Sequence, residues 1–346
     1  PYITALLFFG LVLGTSITAS SSHWLLAWMG LEINTLAIIP LMAQNHHPRA
    51  IEATTKYFLT QATAAATLLF ASVTNAWLTG QWDIALMTHP LPTAMITLAL
   101  ALKLGLAPLH TWLPEVLQGL TLTTGLILST WQKLAPFALL LQLPCPSQKL
   151  LIILGLTSTL VGGWGGLNQT QLRKILAYSS IAHLGWMLLI VQFAPSLTLL
   201  ALLTYLVMTT ATFLTLKNNK ATNINALATS WAKAPLLTAT TPLLLLSLGG
   251  LPPMTGFLPK WLILQELTKQ QLPATAVLAA LTALLSLYFY LRLCYAMTLT
   301  MPPNSLAATT LWRLPTFNPS LLLATSAPMA ILLLPLSPAI TAMMNL

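Results

Sequence analysis

Four charged residues lie inside long apolar segments of the sequence, where charge is costly. They are Glu32 in MGLEINTLAIIP, Lys103 in LALALKLGLAP, Lys133 in STWQKLAPFALLL and Lys260 in TGFLPKWLIL. An ionisable group at the depth of a bilayer costs from about 2.5 to more than 10 kcal/mol, so it is retained mainly where it serves an ion or proton path. The pattern therefore predicts a conduit through a membrane.

Lysine suits a proton switch because burial disfavours its charged form, whereas a nearby carboxylate stabilises it. Arginine keeps its proton at every accessible pH. Glu32 is the predicted partner of Lys103, since it is the acidic residue near the middle of a helix in the first half. Lys133 would pass the proton on, and Lys260 would extend this lateral chain at mid-membrane. The alternative for each lysine is a structural tie to a carboxylate.

Two histidines are predicted as accessory relay groups, because histidine changes charge near neutral pH. His110 lies in the segment GLAPLHTWLPE, and His183 lies in SSIAHLGW. A lone histidine in a helical bundle is more often a packing residue, and that reading stays open for both. Glu115 and Glu266 lie nearer helix ends and are predicted to be ion-paired or solvated.

The sequence predicts no metal, nucleotide or redox centre in this chain. His46 and His47 adjoin a proline in a loop and have no third ligand. Cys145 and Cys294 form neither a metal spacing nor a disulfide framework. The glycines of GGWGGLNQTQLRK fit neither the GxGxxG motif of dinucleotide-binding folds nor the GxxxxGK[ST] motif of P-loop proteins. No haem or iron–sulfur ligand set is present.

Composition indicates a polytopic membrane protein. Of 346 residues, 56% are hydrophobic and 5% are charged, against about 45 to 50% apolar residues in soluble domains. The formal net charge of +9 comes from scattered basic residues, so nucleic-acid binding, which needs a basic face, is excluded. The first segment lacks a basic start and a cleavage site, so it is predicted to span the membrane rather than to be removed.

Apolar stretches of about 20 residues, divided at breaker residues, predict an all-α fold with eleven transmembrane helices. The fourth and ninth are overlong and interrupted, at 105–115 (GLAPLHTWLPE) and 250–260 (GLPPMTGFLPK). An interruption at membrane depth frees backbone groups that protein or a hydrated cavity must satisfy. The predicted spans are 1–20, 22–43, 53–78, 91–119, 121–142, 147–166, 171–193, 196–216, 234–268, 273–299 and 320–344.

The two interruptions match each other at a fixed offset of 145 residues. The offset covers five helices, an odd number, so the two copies would cross the membrane in opposite directions. Inverted repeats with paired broken helices mark the transport path of many transporters. The chain is therefore predicted to be one transmembrane domain, 1–346, with repeat one at 1–143, repeat two at 147–300 and a C-terminal helix at 320–344. The identical pairs join Gly105, Leu106, Pro108, Leu113 and Pro114 to Gly250, Leu251, Pro253, Leu258 and Pro259.

The basic residues of the loops predict the orientation. Basic loops face the cytoplasm or its equivalent, which places the N-terminus in the matrix of a mitochondrion and the C-terminus in the intermembrane space. The opposite loops hold only Lys149 and Lys269. The loops on the N-terminal side hold Arg49, Lys56, Arg173, Lys174, Lys217, Lys220, Lys233 and Arg313.

Several long motifs together closely resemble the antiporter-like membrane subunits of respiratory complex I, a family related to Mrp-type cation/proton antiporters. The resemblance covers about residues 20 to 300. Bacterial members of this family have fourteen helices, and the animal form lacks the first three. The eleven helices predicted for this chain resemble the animal form. The motifs are GLEINTLAIIP with Glu32, LKLGLAPLHTWLPEV with Lys103, WQKLAPF with Lys133, GLNQTQLRKILAYSSIAHLGW, and GLPPMTGFLPKW with Lys260.

This resemblance implies a role for each buried charge. Glu32 and Lys103 would act as a coupled pair, Lys133 as the bridging relay, and Lys260 as the lysine of the second half-channel. His110 falls on a family motif beside the first break. The function implied is proton translocation driven by electron transfer from NADH to ubiquinone in the mitochondrial inner membrane.

The resemblance also implies partners. Flavin mononucleotide, iron–sulfur clusters and ubiquinone would belong to partner subunits, with no cofactor in this chain. Core and accessory membrane-arm subunits and membrane lipids, including cardiolipin, are the expected partners, and nucleic acid is not. Two alternatives stay open: a free-standing cation/proton antiporter, which would transport sodium in isolation, and a structural membrane scaffold, whose buried charges could be neutralised without loss of pumping.

Overall fold

The computed structural model describes residues 2–43, 47–144, 147–232, 234–299 and 321–343. Helices dominate these ranges, and within them extended pairing is limited to two isolated bridges, His23 with Asp83 and Gln171 with Asn223. Four residues of the sequence predictions lie outside the described residues: His46, Cys145, Lys233 and Arg313.

By its internal packing the chain divides into two compact units, 1–158 and 159–346. The boundary falls within a helix, α7, which begins at Gln148 and ends at Gly166. The first unit holds the start of that helix and α1 (Tyr2–Ser20), α2 (Trp24–Met42), α3 (Pro48–Thr79), α4 (Pro90–Leu104), α5 (Trp112–Gly119) and α6 (Leu122–Gln142).

The second unit holds the end of α7 and eight further helices among its described residues. The shortest, α10, has five residues and belongs to the loop that follows α9. The eight are α8 (Leu172–Ile190), α9 (Pro195–Asn218), α10 (Ile224–Ala228), α11 (Pro235–Gly249), α12 (Phe257–Lys269), α13 (Pro273–Leu299), α14 (Leu321–Leu332) and α15 (Ser337–Met343).

Within the described ranges, six single helices are long and apolar enough to cross a membrane: α1, α2, α3, α7, α9 and α13. The segments Leu321–Leu332 and Leu334–Met343 make a seventh candidate, bent by 69° at a short break. Helices α4 and α11 are also apolar but shorter, at 15 residues each. The chain is therefore an all-α, polytopic membrane protein.

The first helix interruption separates α4 from α5. Helix α4 ends at Leu104, and Gly105 adopts the left-handed conformation with φ of 78°. The amide of Leu106 then donates to the carbonyl oxygen of Ala101 at 2.9 Å, which completes a left-handed helix cap that glycine allows at little cost. A new helix starts at Trp112.

The second interruption, between α11 and α12, repeats this geometry. Helix α11 ends at Gly249, Gly250 has φ of 78°, and the Leu251 amide donates to the Leu246 carbonyl at 3.3 Å. Each interruption contains a cis peptide bond before proline, at 107–108 and at 252–253. Helix α12 starts at Phe257.

Protein groups satisfy carbonyls that the interruptions release, as burial at membrane depth requires. In the first, the Trp112 indole donates to the Leu102 carbonyl at 3.1 Å, and the Thr157 hydroxyl donates to the Ala107 carbonyl at 3.3 Å. Both bonds lie inside the first unit. They hold the non-helical segment beside the end of α4, where Lys103 lies.

Candidate proton-relay site

Two of the buried lysines line the same cavity in the first unit. Lys103 comes from α4 and Lys133 from α6, and the cavity between them measures about 20 Å³. This volume holds about one water molecule. The remaining polar side chains of the lining come from α2, α3 and α6: Asn34, Thr35, Tyr57, Gln61 and Gln132.

Lys103 lies in the last turn of α4, directly before the interruption, and is 6% exposed. A cation is favoured at this end of a helix, because the free carbonyls there carry partial negative charge. Among the described residues, no group lies within hydrogen-bonding distance of its Nζ atom. A buried nitrogen without a hydrogen-bond partner costs free energy, which sets Lys103 apart from a structural tie.

Lys133 lies in the middle of α6 and is 2% exposed. Its two preceding residues fix the helix against α1 and α2. The Trp131 indole donates to the Leu11 carbonyl at 3.3 Å, and the Gln132 amide donates to the Asn34 carbonyl at 3.2 Å. These bonds set the rotation of α6 that turns Lys133 toward the cavity.

Glu32 approaches the site from α2 without an ion pair to Lys103. Its half-buried carboxylate accepts a hydrogen bond of 3.0 Å from the hydroxyl of Thr35, which lines the cavity. In the described part of the chain, no lysine nitrogen lies within 4.0 Å of this carboxylate. The two predicted partners therefore do not form a salt bridge.

Lys260 lies in the first turn of α12, in the second unit, and reaches back across the interruption. Its Nζ atom donates to the carbonyl oxygen of Gly249 at 2.8 Å. A Cβ atom on Gly250 would lie 2.9 Å from Lys260 Cδ and 3.0 Å from Nζ. Glycine at this position thus allows both the left-handed turn and the path of the lysine side chain.

The two histidines occupy different settings. His110 lies half-buried in the first interruption, with Nδ1 3.2 Å from the Pro108 carbonyl oxygen, and does not line the cavity. His183 lies on α8 in the second unit, where its ring contacts the buried ring of Tyr205 at a centroid distance of 5.6 Å.

The remaining carboxylates of the prediction are ion-paired at helix ends. Glu115 Oε2 lies 2.8 Å from Lys56 Nζ, and both side chains are about half exposed. Glu266 Oε2 lies 3.5 Å from Lys269 Nζ. The expectation that these residues are ion-paired or solvated is confirmed.

Sequence reasoning missed the neutral polar residues of the cavity, chiefly Asn34 and Gln61. Each interrupts an apolar helical run, but neutral amides occur elsewhere in such runs and do not mark a site by themselves. It also passed over Arg292 in LYFYLRLCYAM. The Arg292 guanidinium donates to the Leu167 carbonyl at 2.5 Å, just beyond the end of α7.

Fold and site together define a class: a polytopic helical membrane protein with interrupted helices and buried lysines at the interruptions. Residues 21–286 match the family described as NADH:quinone oxidoreductase/Mrp antiporter, transmembrane region. Residues 287–341 match the C-terminal region of NADH dehydrogenase subunit 2. The chain belongs to the NADH:quinone oxidoreductase/Mrp antiporter family.

Individual relatives agree with this assignment. The chain is 74% identical over 346 residues to a protein of Tetraodon nigroviridis named NADH-ubiquinone oxidoreductase chain 2, covering 100% of this chain and 99% of that protein. A protein of the same name from Oncorhynchus mykiss is 71% identical, with the same coverage.

Solved structures match along nearly the whole chain. A chain of respiratory complex I from Thermus thermophilus has a TM-score of 0.83 at 31% identity, covering 97% of this chain and 80% of that one. A chain of the Mrp complex from Dietzia sp. has a TM-score of 0.78 at 19% identity, covering 98% and 74%, and supports the fold alone.

Proposed function

We propose that the chain is a proton-translocating membrane-arm subunit of NADH–ubiquinone oxidoreductase, respiratory complex I, in the mitochondrial inner membrane. Membership of the family and near full-length similarity to vertebrate proteins of that name support this function. The observation that carries the mechanism is that Lys103 and Lys133 line the same small cavity.

The proposed proton path in the first unit runs from Lys103 to Lys133. Movement of negative charge toward or away from Lys103 would change its affinity for a proton, and Glu32 is the proposed source of that charge. A water in the cavity would pass the proton to Lys133, so the proton would not have to cross the hydrocarbon core unaided. Because water cannot enter the surrounding apolar core, the path stays confined to these groups.

In the second unit, Lys260 is the proposed lysine of the other half-channel. It pairs with a backbone carbonyl released by the interruption rather than with a carboxylate. A neutral carbonyl binds the ammonium but stabilises its protonated form less than a carboxylate would. His110 and His183 are proposed accessory relay groups, one in each unit.

The finer architecture is also a proposal: eleven crossings in one domain, 1–346, with inverted repeats at 1–143 and 147–300 and a C-terminal helix at 320–344. The matching caps at Gly105 and Gly250 support the repeat, since each ends a helix that begins with proline and runs for 15 residues. The excess of basic residues in alternate loops supports an N-terminus in the matrix and a C-terminus in the intermembrane space.

The proposed partners are the other complex I subunits, which would hold flavin mononucleotide, iron–sulfur clusters and the ubiquinone site, together with membrane lipids such as cardiolipin. Electron transfer would occur entirely in those partners. This chain would contribute the proton path, so its variants should affect coupled turnover and leave the redox centres intact.

Substitution of Lys133 by methionine in the assembled complex tests this function. Methionine keeps much of the volume and removes the titrating group, so proton translocation and NADH oxidation by ubiquinone should fall together. Reduction of an artificial acceptor at the peripheral arm should persist. Lys149→Met, at the exposed start of α7, is the control and should change none of the three.

The same experiment separates the alternatives. Pumping that survives Lys133→Met in an assembled complex would favour a structural scaffold. Sodium-dependent transport by the isolated, reconstituted chain would favour a free-standing antiporter.

A further inference from the structure

A single side-chain hydrogen bond joins the second interruption to the C-terminal helix α14. The hydroxyl of Thr255, within the interruption, donates to the carbonyl oxygen of Ala330. Both residues are buried, at 3% and 1% exposed. Ala330 lies in the last turn of α14, where helix carbonyls have no amide partner in their own helix. The hydroxyl of Thr255 therefore satisfies a carbonyl that the end of α14 leaves free.

Thr255 also starts the helix that carries Lys260. Its backbone carbonyl accepts a hydrogen bond of 3.2 Å from the amide of Leu258, in the first turn of α12. The next residue, Gly256, lies against the end of α11, since a Cβ atom there would overlap the carbonyl oxygen of Ser247. Lys260 belongs to the same first turn and reaches back to the end of α11. The position of Lys260 thus depends on where Thr255 places the start of α12.

An apolar cavity beside this bond limits what could replace it. The cavity measures about 140 Å³ and lies between α9, α14, α15 and the interruption, with Thr255 and Ala330 in its wall. The other polar side chain of the wall, Thr204, donates to the Ala201 carbonyl of its own helix at 3.0 Å. A buried carbonyl without a partner costs free energy. Loss of the Thr255 hydroxyl would therefore leave Ala330 facing apolar surface.

We propose that Thr255 is a positioning residue through which the C-terminal helix α14 sets the place of Lys260 in the second half-channel. The inference rests on the proposed proton-translocating function and adds to it a helix outside both proposed repeats. Thr255 acts through the start of α12 and not on the proton itself. The first unit has a bond of the same kind, since the Thr157 hydroxyl of α7 donates to the Ala107 carbonyl of the first interruption.

Thr255→Val in the assembled complex tests the proposal. Valine keeps the branched shape of threonine but cannot donate to the Ala330 carbonyl. Proton translocation and NADH oxidation by ubiquinone should fall roughly tenfold, equal to about 1.4 kcal/mol of barrier. Artificial-acceptor reduction should persist. Thr255→Ser keeps the hydroxyl and should retain most of the coupled turnover.

The matched control is Thr204→Val, which removes a hydroxyl from the wall of the same cavity. The Thr204 hydroxyl bonds a carbonyl of its own helix rather than α14, so this variant should keep wild-type coupling. Equal losses in Thr255→Val and Thr204→Val would overturn the proposal. Should Thr255→Val fail to assemble, Thr255→Ala is compared with Thr204→Ala in its place.

Structures of the assembled complexes give a readout that a merely stabilising bond would not change. In the wild type, Thr255 should bond the Ala330 carbonyl while Lys260 bonds the Gly249 carbonyl. In Thr255→Val, the Lys260 ammonium should leave the Gly249 carbonyl. A wild-type complex without the Thr255–Ala330 bond, or a Thr255→Val complex with an unchanged Lys260 contact, would overturn the proposal.

Failure of this inference differs from failure of the proposed function. Wild-type coupling in assembled Thr255→Val would overturn the role of Thr255. If that variant pumps normally and Lys133→Met does not, the lysine path stands and only the positioning of Lys260 by α14 is lost.

Discussion

The ammonium of Lys260 donates a 2.8 Å hydrogen bond to the carbonyl oxygen of Gly249, the last residue of the helix before the second interruption. The side chain reaches this carbonyl by passing over Gly250. The interruption therefore does two things at once: it releases a carbonyl at membrane depth and leaves room for the lysine that binds it.

Gly250→Ala should disturb this arrangement. Alanine in the left-handed conformation costs roughly 1 to 2 kcal/mol, and its Cβ would in addition push Lys260 away from the Gly249 carbonyl. Gly80→Ala is a matched control, because Gly80 has a similar φ of 71° but open space around its Cβ position. Gly250→Ala should lose at least as much thermal stability as Gly80→Ala, and only Gly250→Ala should lose proton translocation. Equal coupling in the two would show that the Lys260 contact is dispensable.

Two acidic residues of the first unit should respond differently to neutralisation. Glu32→Gln removes the charge that acts on Lys103 and should reduce coupled turnover on the order of a hundredfold, the range of a lost acid–base group. Glu115→Gln should leave turnover unchanged, since its partner Lys56 is exposed and keeps Glu52 at 2.7 Å. Comparison of NADH oxidation by ubiquinone in the two assembled variants decides the point, and equal losses would contradict it.

The sequence was sufficient to locate the charges and the interruptions. Lysine in a long apolar run, and glycine with proline in an overlong one, are strong local signals. Lys103 and Gly105 illustrate both, since they lie two positions apart in one run.

The cavity itself could not be predicted from the sequence. Gln61 and Asn34 are neutral, and similar residues, such as Asn75, lie in apolar helices without lining it. The sequence also suggested direct pairing of Glu32 with Lys103. The carboxylate instead bonds Thr35, its neighbour one helical turn away. Such choices depend on how helices rotate against each other, which local patterns do not encode.

The proposed orientation places the loop after α9 in the matrix. Lys220 is exposed in that loop, and Lys269, with 63% of its side chain exposed, lies at the end of α12 on the opposite side by the same reasoning. A membrane-impermeant amine reagent added to intact mitoplasts should modify Lys269 and spare Lys220. Permeabilised membranes should show both modified. Modification of Lys220 in intact mitoplasts would overturn the orientation and the inverted repeat with it.

The central claim is that Lys103 releases and rebinds a proton during turnover, and Lys103→Arg tests it most directly. The guanidinium keeps the positive charge and its long-range attraction to Glu32, but it does not give up its proton at any accessible pH. A packing charge would tolerate this change. Measured in the assembled complex with Lys269→Arg as the control, proton translocation and NADH oxidation by ubiquinone should be lost, while artificial-acceptor reduction persists. Wild-type proton translocation in assembled Lys103→Arg would contradict the account.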